Sequence, residues 1–182
     1  MGIKNIKLLL TDVDGILTNG KVYYGERNEY VQFDIQDGIG HRLAVYGGLT
    51  VGWLTGRDSK AVAARAKKLK VSILYQGKLD KLSAAQALCK KMKLNLSQTA
   101  YMGDDLIDLP LLNQVGWSAT VPYGRTEVKK AVHYVTRAQA GDGAFREVVE
   151  KILKTQGVWS KTLRVFEREN HRRAALAPGL HS

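Results

Sequence analysis

Residues 6–15 read IKLLLTDVDG, and this stretch decides the fold class. Apart from Lys7 the run is apolar up to Leu10, and it ends in two aspartates, Asp12 and Asp14. An apolar run this short and continuous suits a strand of a parallel sheet, which is covered on both faces and needs no polar alternation. Two carboxylates just past a buried strand are costly unless a cation or a reaction uses them. The plainer alternative is an Asx turn that stops the strand.

Outward from this strand, short apolar segments alternate with helical patterns. Strands are expected at 50–54, 71–75, 99–102, 117–120 and 133–136. Helices are expected at 38–46, 59–69, 78–92, 106–113, 127–131 and 144–156, with Asp58 or Ser59 capping the second and Pro110 near the first turn of the fourth. Residues 21–24 and 30–33 flank Gly25-Glu26-Arg27-Asn28-Glu29 and read as a β-hairpin. Such alternation implies an α/β fold, a doubly wound parallel sheet that binds ligands beyond the carboxyl ends of its strands. One domain over 1–160 is expected, with a hairpin flap at about 19–34 and no inserted cap domain. After Gln156 the pattern decays into a basic tail, 161–182, expected to be flexible or to order against another subunit.

The chain has 182 residues, 45% of them hydrophobic, and a net charge of +11. Eleven Lys or Arg lie between Arg57 and Lys93, against Asp58 and Asp80 only. Aromatic residues are not interleaved with these cations, as a single-strand nucleic-acid groove would require. A solvated basic face, part of it drawing an anionic substrate into a cleft, fits better than nucleic-acid binding. Cys89 is the one cysteine, so an intrachain disulfide and a multi-cysteine zinc site are excluded. No stretch reaches the roughly 20 apolar residues of a membrane span, and the start shows no signal-peptide pattern. A reducing, cytoplasmic setting is expected.

Four groups of residues carry chemistry, each at an expected strand end or helix start. Asp12-Val13-Asp14-Gly15 comes first. Thr55-Gly56-Arg57 offers a hydroxyl and exposed backbone N–H groups to a phosphate. Gly77-Lys78-Leu79-Asp80-Lys81 offers a cation for a transferring phosphoryl group, with Lys78 and Lys81 competing for the role. Gly103-Asp104-Asp105-Leu106-Ile107-Asp108 puts three acids within five residues, the oxygen-rich pattern that hard cations such as Mg²⁺ prefer. Singly, each has an ordinary explanation as a turn, a cap or a solvated helix end. In this order, on one edge of a sheet, they are far more specific.

The ordered set resembles the haloacid dehalogenase phosphatases from Ile6 to about Gln156. TDVDGILT at 11–18, the hairpin, Asp37-Gly38-Ile39-Gly40, TGR at 55–57, GDDLIDLP at 103–110 and GDGAFRE at 141–147 are similar to the 3-deoxy-D-manno-octulosonate 8-phosphate (KDO 8-phosphate) phosphatases. Two departures are Gln36, where members often carry arginine, and Ala140, where a glycine pair is usual. The resemblance implies a Mg²⁺-dependent phosphomonoesterase. In it Asp12 is the nucleophile that forms an aspartyl-phosphate and Asp14 the general acid and base. Asp12, the Asp14 carbonyl and Asp104 hold the metal, and Asp105 and Asp108 support it from outside. Thr55, Gly56 and Lys81 cradle the phosphoryl group, Lys81 being preferred to Lys78 by the family spacing. Arg42, Arg57 and Arg65 are the implied partners of the sugar carboxylate. Asp34, Ile35, Gln36, Asp37 and Gly38 lie over the sugar, and Arg146 orders the site or a neighbouring tail.

Rival readings are a response-regulator receiver, a basic nucleic-acid-binding module and a phosphatase for a nine-carbon sugar acid 9-phosphate. A receiver places its acids before its Thr and Lys, whereas here an acid cluster follows Lys81. The nine-carbon enzymes are expected to carry an acid in place of Arg57. Because neither gap between motifs holds a cap, and a lone two-stranded hairpin is barely stable, the resemblance implies a homotetramer whose neighbours cover each site.

Overall fold

Strand β1 (Leu8–Thr11) is buried at every residue and lies at the middle of the protein's main sheet. The structure is a computed structural model and describes residues 2–176. After β1 come β2 (Tyr23–Tyr24), β3 (Glu29–Tyr30), α1 (Ile35–Tyr46), β4 (Thr50–Leu54), α2 (Lys60–Leu69), β5 (Ile73–Tyr75) and α3 (Lys81–Met92). Then follow β6 (Thr99–Met102), α4 (Leu109–Leu112), β7 (Trp117–Thr120), α5 (Thr126–Ala131), β8 (Tyr134–Val135), α6 (Ala144–Thr155) and α7 (Trp159–Leu176). Six strands form a parallel sheet in the order β5-β4-β1-β6-β7-β8, and β2 pairs with β3 in a separate antiparallel hairpin.

The apolar run is divided by strand periodicity, since successive side chains point to opposite faces. Leu9 packs with Trp53, Met102 and Ala119 beneath α1, α2 and α6. Leu8 and Leu10 join Leu54, Tyr101, Leu88 and Leu111 beneath α3, α4 and α5. Helix α6 buries Phe145, Val148, Val149, Ile152 and Leu153, the i, i+3, i+4 stripe of an amphipathic helix. The fold is therefore the α/β doubly wound sheet that the sequence implied. Its order reverses beside β1, which has β4 on one side and β6 on the other. In such sheets the crevice at that reversal receives the ligand.

Several element boundaries differ from expectation, each for a local reason. Helix α1 starts at Ile35 rather than at residue 38, because Asp34 caps it by accepting from the Asp37 N–H at 3.0 Å. The stretch 35–38, expected to lie as a segment over a sugar, is thus the first turn of a helix. Helix α3 starts at Lys81 rather than 78, capped by Asp80. Of the two candidate caps for α2, Ser59 accepts from Val62 N–H at 3.2 Å. The hairpin is shorter than expected, pairing only Tyr23 with Tyr30 and Tyr24 with Glu29. Phe33 leaves it to stack on Trp53, ring centroids 6.1 Å apart.

The boundary expected after residue 160 falls inside α7, which carries residues 161–176 of the expected tail as helix. Thr162 is buried, and Phe166 meets the ring of Tyr46 on α1 edge-on at 6.3 Å. The sequence reading lost this element because its apolar face is thin: Trp159, Leu163 and Phe166 among many charges. Residues 177–182 lie outside the described residues. Between Asp14 and Thr55 the chain forms only the hairpin, α1 and β4, and between Thr55 and Asp104 only ordinary strand–helix units.

Candidate active site

The carboxyl ends of β1, β4 and β6 and the start of α3 converge on one cleft of ≈ 380 Å³. Asp12, Asp14, Thr55, Gly56, Arg57, Lys81, Asp104 and Asp105 all line it. Lys78 is exposed and does not. Of the two competing lysines it is Lys81, the first residue of α3, that points inward, and it is 2% exposed.

Lys81 Nζ lies 2.8 Å from Asp12 Oδ2 and 2.7 Å from Asp108 Oδ1. Burial works against its charge, but the two carboxylates more than offset this and leave its pKa raised. Asp108 is the anchor of the group. Its Oδ1 also accepts from Tyr101 Oη at 2.5 Å, and its Oδ2 accepts from the backbone N–H of Asp104 at 3.0 Å and Asp105 at 3.2 Å. Burial, with Asp108 close by, holds the Tyr101 phenol well above its usual pKa, so it stays a donor.

Oxygens of Asp12, Asp104 and Asp108 lie within 4.8 Å of one another, a grouping that suits a cation. Asp108 has both oxygens engaged, so the unspent capacity is elsewhere. Asp104 Oδ1 and Asp14 Oδ1 are buried without a hydrogen-bond partner. Gly15, at φ +87°, presses so closely on the Asp104 carboxylate that a side chain there would collide with it. Burial pushes Asp104 up to about 7, with Asp12 and Asp108 adding to the effect. Asp12 is also pushed up to about 7, first by burial, against the pull of Lys81. Two carboxylates held this far above their usual range are short of positive charge, and Mg²⁺ with its preference for oxygen ligands fits that deficit.

Arg57 closes the other side. Its Nε lies 3.4 Å from Asp14 Oδ2 and its Nη2 2.9 Å from Glu29 Oε2. Glu29 comes from the hairpin and also accepts from Ser59 Oγ. Thr55 Oγ1 donates to Asp14 Oδ2 at 3.4 Å and accepts from the Arg57 N–H at 3.2 Å.

The haloacid dehalogenase-like hydrolase family matches residues 52–148. A KDO 8-phosphate phosphatase of Yersinia pestis is 41% identical over 153 residues, 84% of this chain and 82% of that protein. A crystal structure of the KDO 8-phosphate phosphatase of Moraxella catarrhalis, in complex with magnesium, phosphate and KDO, is 40% identical with a TM-score of 0.87. That match covers 90% of this chain and 95% of the other. The cobalt-bound enzyme of Haemophilus influenzae is 38% identical with a TM-score of 0.84, over 87% of this chain and 93% of that one. The chain belongs to the haloacid dehalogenase-like hydrolases.

Not every residue implied by that family reaches the cleft. Asp34 caps α1, and its carbonyl accepts from Arg65 Nη2 at 3.0 Å. Ile35 is exposed, and Gln36 accepts from Arg146 Nη1. Asp37 is buried and accepts from the Arg146 N–H at 3.0 Å, so it caps α6, whose own N-cap is Gly143. The Arg146 side chain continues to Glu150 at 3.0 Å. Arg42 stacks on Phe166 and reaches Asn170 of α7, and together with Gly38 and Arg65 it lines a different pocket, between α1, α2 and α7. Asp105, expected to support the metal from outside, does line the cleft, and its Oδ1 accepts from the Leu106 N–H at 2.7 Å.

Sequence reading missed Glu29 and Tyr101. A tyrosine inside the buried strand TAYM was a usable signal, because a buried phenol needs a partner. Glu29 gave none, since its contact with Arg57 depends on how the hairpin folds back.

Proposed function

We propose that this chain hydrolyses KDO 8-phosphate to KDO and phosphate through an aspartyl-phosphate on Asp12, in a Mg²⁺-dependent reaction. The observation that carries the reading is the Asp12–Lys81–Asp108 chain of contacts beside the unpartnered Asp104 oxygen at the sheet's reversal. In support, the similar M. catarrhalis enzyme is known in complex with magnesium, phosphate and KDO.

Asp12 is oriented by the Val13 N–H on Oδ1 at 2.7 Å and by Lys81 on Oδ2, so the carboxylate meets phosphorus without a search over rotamers. Asp14 protonates the leaving sugar oxygen, then takes a proton from the water that cleaves the aspartyl-phosphate. Thr55 Oγ1, the Gly56 N–H and the Lys81 ammonium hold the phosphoryl oxygens. Asp12, Asp104 and the Asp14 carbonyl are the groups that hold the metal, which when bound neutralises charge on the transferring phosphoryl group. Asp108 keeps Lys81 in place and turns the Asp104 loop towards the cleft. Arg57 reads the substrate carboxylate, and its presence favours the eight-carbon substrate over a nine-carbon one. Phosphate release from KDO 8-phosphate, a nine-carbon sugar acid 9-phosphate and an aryl phosphate tests this directly. A preference for the nine-carbon compound overturns the substrate, and Mg²⁺-independent release overturns the mechanism.

The working form is a cytoplasmic homotetramer with neighbours over each cleft. Tyr23, Tyr24 and Tyr30 of the hairpin are 57%, 78% and 61% exposed, and Leu79 and Ile107 are exposed beside the cleft. Arg42 and Arg65 point away from the chain's own cleft, where a second copy can use them. Light scattering that gives about 20 kDa for active enzyme removes the shared site.

A further inference from the structure

A second, much smaller cavity of ≈ 10 Å³ lies between α1, α2 and β4, lined in part by Phe33, Asp37, His41, Trp53 and Arg65. Four buried polar atoms on these residues have no hydrogen-bond partner: Asp37 Oδ2, His41 Nε2, Trp53 Nε1 and Arg65 Nε. Buried polar groups are nearly always satisfied, so four orphans around one cavity call for a common partner.

Their chemistry specifies it. The indole and the guanidinium Nε carry one N–H each and only donate, while an aspartate oxygen only accepts. Burial lowers the His41 pKa to about 4, so the ring is neutral at pH 7, and in the tautomer that carries its proton on Nδ1 its Nε2 accepts. Two donors and two acceptors are the complement of one water molecule. The volume is also that of one water, which needs about 10–15 Å³. We infer that this cavity binds a single water, and that Asp37, His41 and Trp53 act through it as positioning residues for Arg65.

Arg65 has little else to hold it. Its Nη2 donates to the Asp34 carbonyl and its guanidinium lies over the Phe33 ring at 5.7 Å. A Cβ at Gly38 would come within 2.9 Å of Nη2, so the glycine gives the guanidinium its seat across α1. The water adds the missing constraint at Nε and leaves the outer edge of Arg65 facing the pocket it shares with Arg42, Lys68 and Arg173. The other oxygen of Asp37 caps α6 through the Arg146 N–H. One carboxylate thus ties α6 to Arg65, and Trp53 ties both to β4, the strand that leads into Thr55.

The water site stands on the cavity alone, and only its effect on turnover rests on reading Arg65 as a substrate arginine. A crystal structure of the full chain with ordered solvent is expected to show one water about 2.7–3.2 Å from all four atoms. An empty cavity, or direct bonds among the four side chains, overturns the site. His41→Leu removes an acceptor and is expected to raise KM for KDO 8-phosphate about fivefold, with kcat and the KM for an aryl phosphate moving less than about twofold. His41→Gln keeps an acceptor and is expected to restore KM to within about twofold. If His41→Leu does not fold, Trp53→Phe removes one donor at the same cavity and is expected to raise the same KM. Equal changes for both substrates, or identical Leu and Gln variants, overturn the positioning role. If the unaltered enzyme does not turn over KDO 8-phosphate, the proposed function fails, and the water site is judged by the density.

Discussion

The cleft and the α1–α2–α7 face treat charge in opposite ways. In the cleft both cations are paired, Lys81 between Asp12 and Asp108 and Arg57 between Asp14 and Glu29. On the other face Arg42, Arg65, Lys68, Lys70 and Arg173 line a pocket of ≈ 540 Å³, and none has a carboxylate within 4 Å among the described residues. Lysine and arginine of the first kind are fixed parts of a machine that one chain completes. Cations of the second kind await an anion that the described residues do not supply. The phosphoryl-transfer end of the site is therefore intramolecular, and beyond Arg57 the cations left to meet the rest of an anionic substrate lie elsewhere on the surface.

The largest effect that tests this division comes from Asp12→Asn. It is expected to lower phosphate release by several orders of magnitude, because the nucleophile is gone. The melting temperature should hold or rise, since Asn still accepts from the Val13 N–H and Lys81 keeps Asp108. Turnover by a folded Asp12→Asn protein, measured as released phosphate, removes the covalent mechanism.

Next in size is the contrast between two acids four residues apart. Asp104→Ala is expected to weaken Mg²⁺ binding roughly 100-fold or more, beyond the 10- to 100-fold typical of outer-shell changes, with a modest effect on folding. Asp108→Ala leaves Lys81, Tyr101 and two backbone amides short of a partner. Breaking such a buried pair costs about 3–5 kcal/mol, a fall in melting temperature of roughly 6–20 °C. Calorimetric titration with Mg²⁺ and thermal melts separate the two. The reverse pattern makes Asp108 the ligand and Asp104 the support.

Arg57→Ala is smaller again. Losing a charge-assisted hydrogen bond costs about 1.5–3 kcal/mol, so KM for KDO 8-phosphate should rise roughly 10- to 100-fold and KM for an aryl phosphate much less. Equal rises mean that Arg57, already held by Asp14 and Glu29, does not read the sugar acid.

The same contrast explains what the sequence made legible. The cleft was readable because its residues sit at strand ends, where a parallel sheet brings Asp12, Thr55 and Asp104 together whatever the details of packing. Lys81 was preferred to Lys78 on family spacing alone, since the residues themselves do not say where α3 begins, and Asp80 sets that start. The α1 face was not readable in this way. Whether Asp34–Gly38 is loop or helix turns on one cap, and whether Arg42 meets substrate or Phe166 turns on a helix, α7, whose apolar stripe is nearly lost among charges. Glu29 shows the limit most plainly, since nothing local to a hairpin residue records that it will lie against Arg57 and Ser59.

The smallest effect is a pH dependence that isolates the cleft. In the metal-free chain Asp12 and Asp104 are held up to about 7, against 3.8 for a free carboxyl, chiefly by burial. Between about pH 4 and 7 the folded state thus binds more protons than the unfolded one, and stability falls as pH rises through that window. Two buried groups on α1 also titrate there. Asp37, raised to about 6, acts with the same sign, while His41, lowered to about 4 from 6.5, acts with the opposite sign and makes stability rise with pH. Neither touches the cleft, so both contribute equally with and without metal. Mg²⁺ requires ionised ligands, and its binding recovers what the ionised Asp12 and Asp104 cost. The Mg²⁺-induced rise in melting temperature should therefore be near zero at pH 5.5 and reach several degrees by pH 8, for a stabilisation of a few kcal/mol in a chain of this size. A shift that is the same at both pH values means that the cleft carboxylates are already ionised without metal, and that the shortage of positive charge read from their burial is met within the chain.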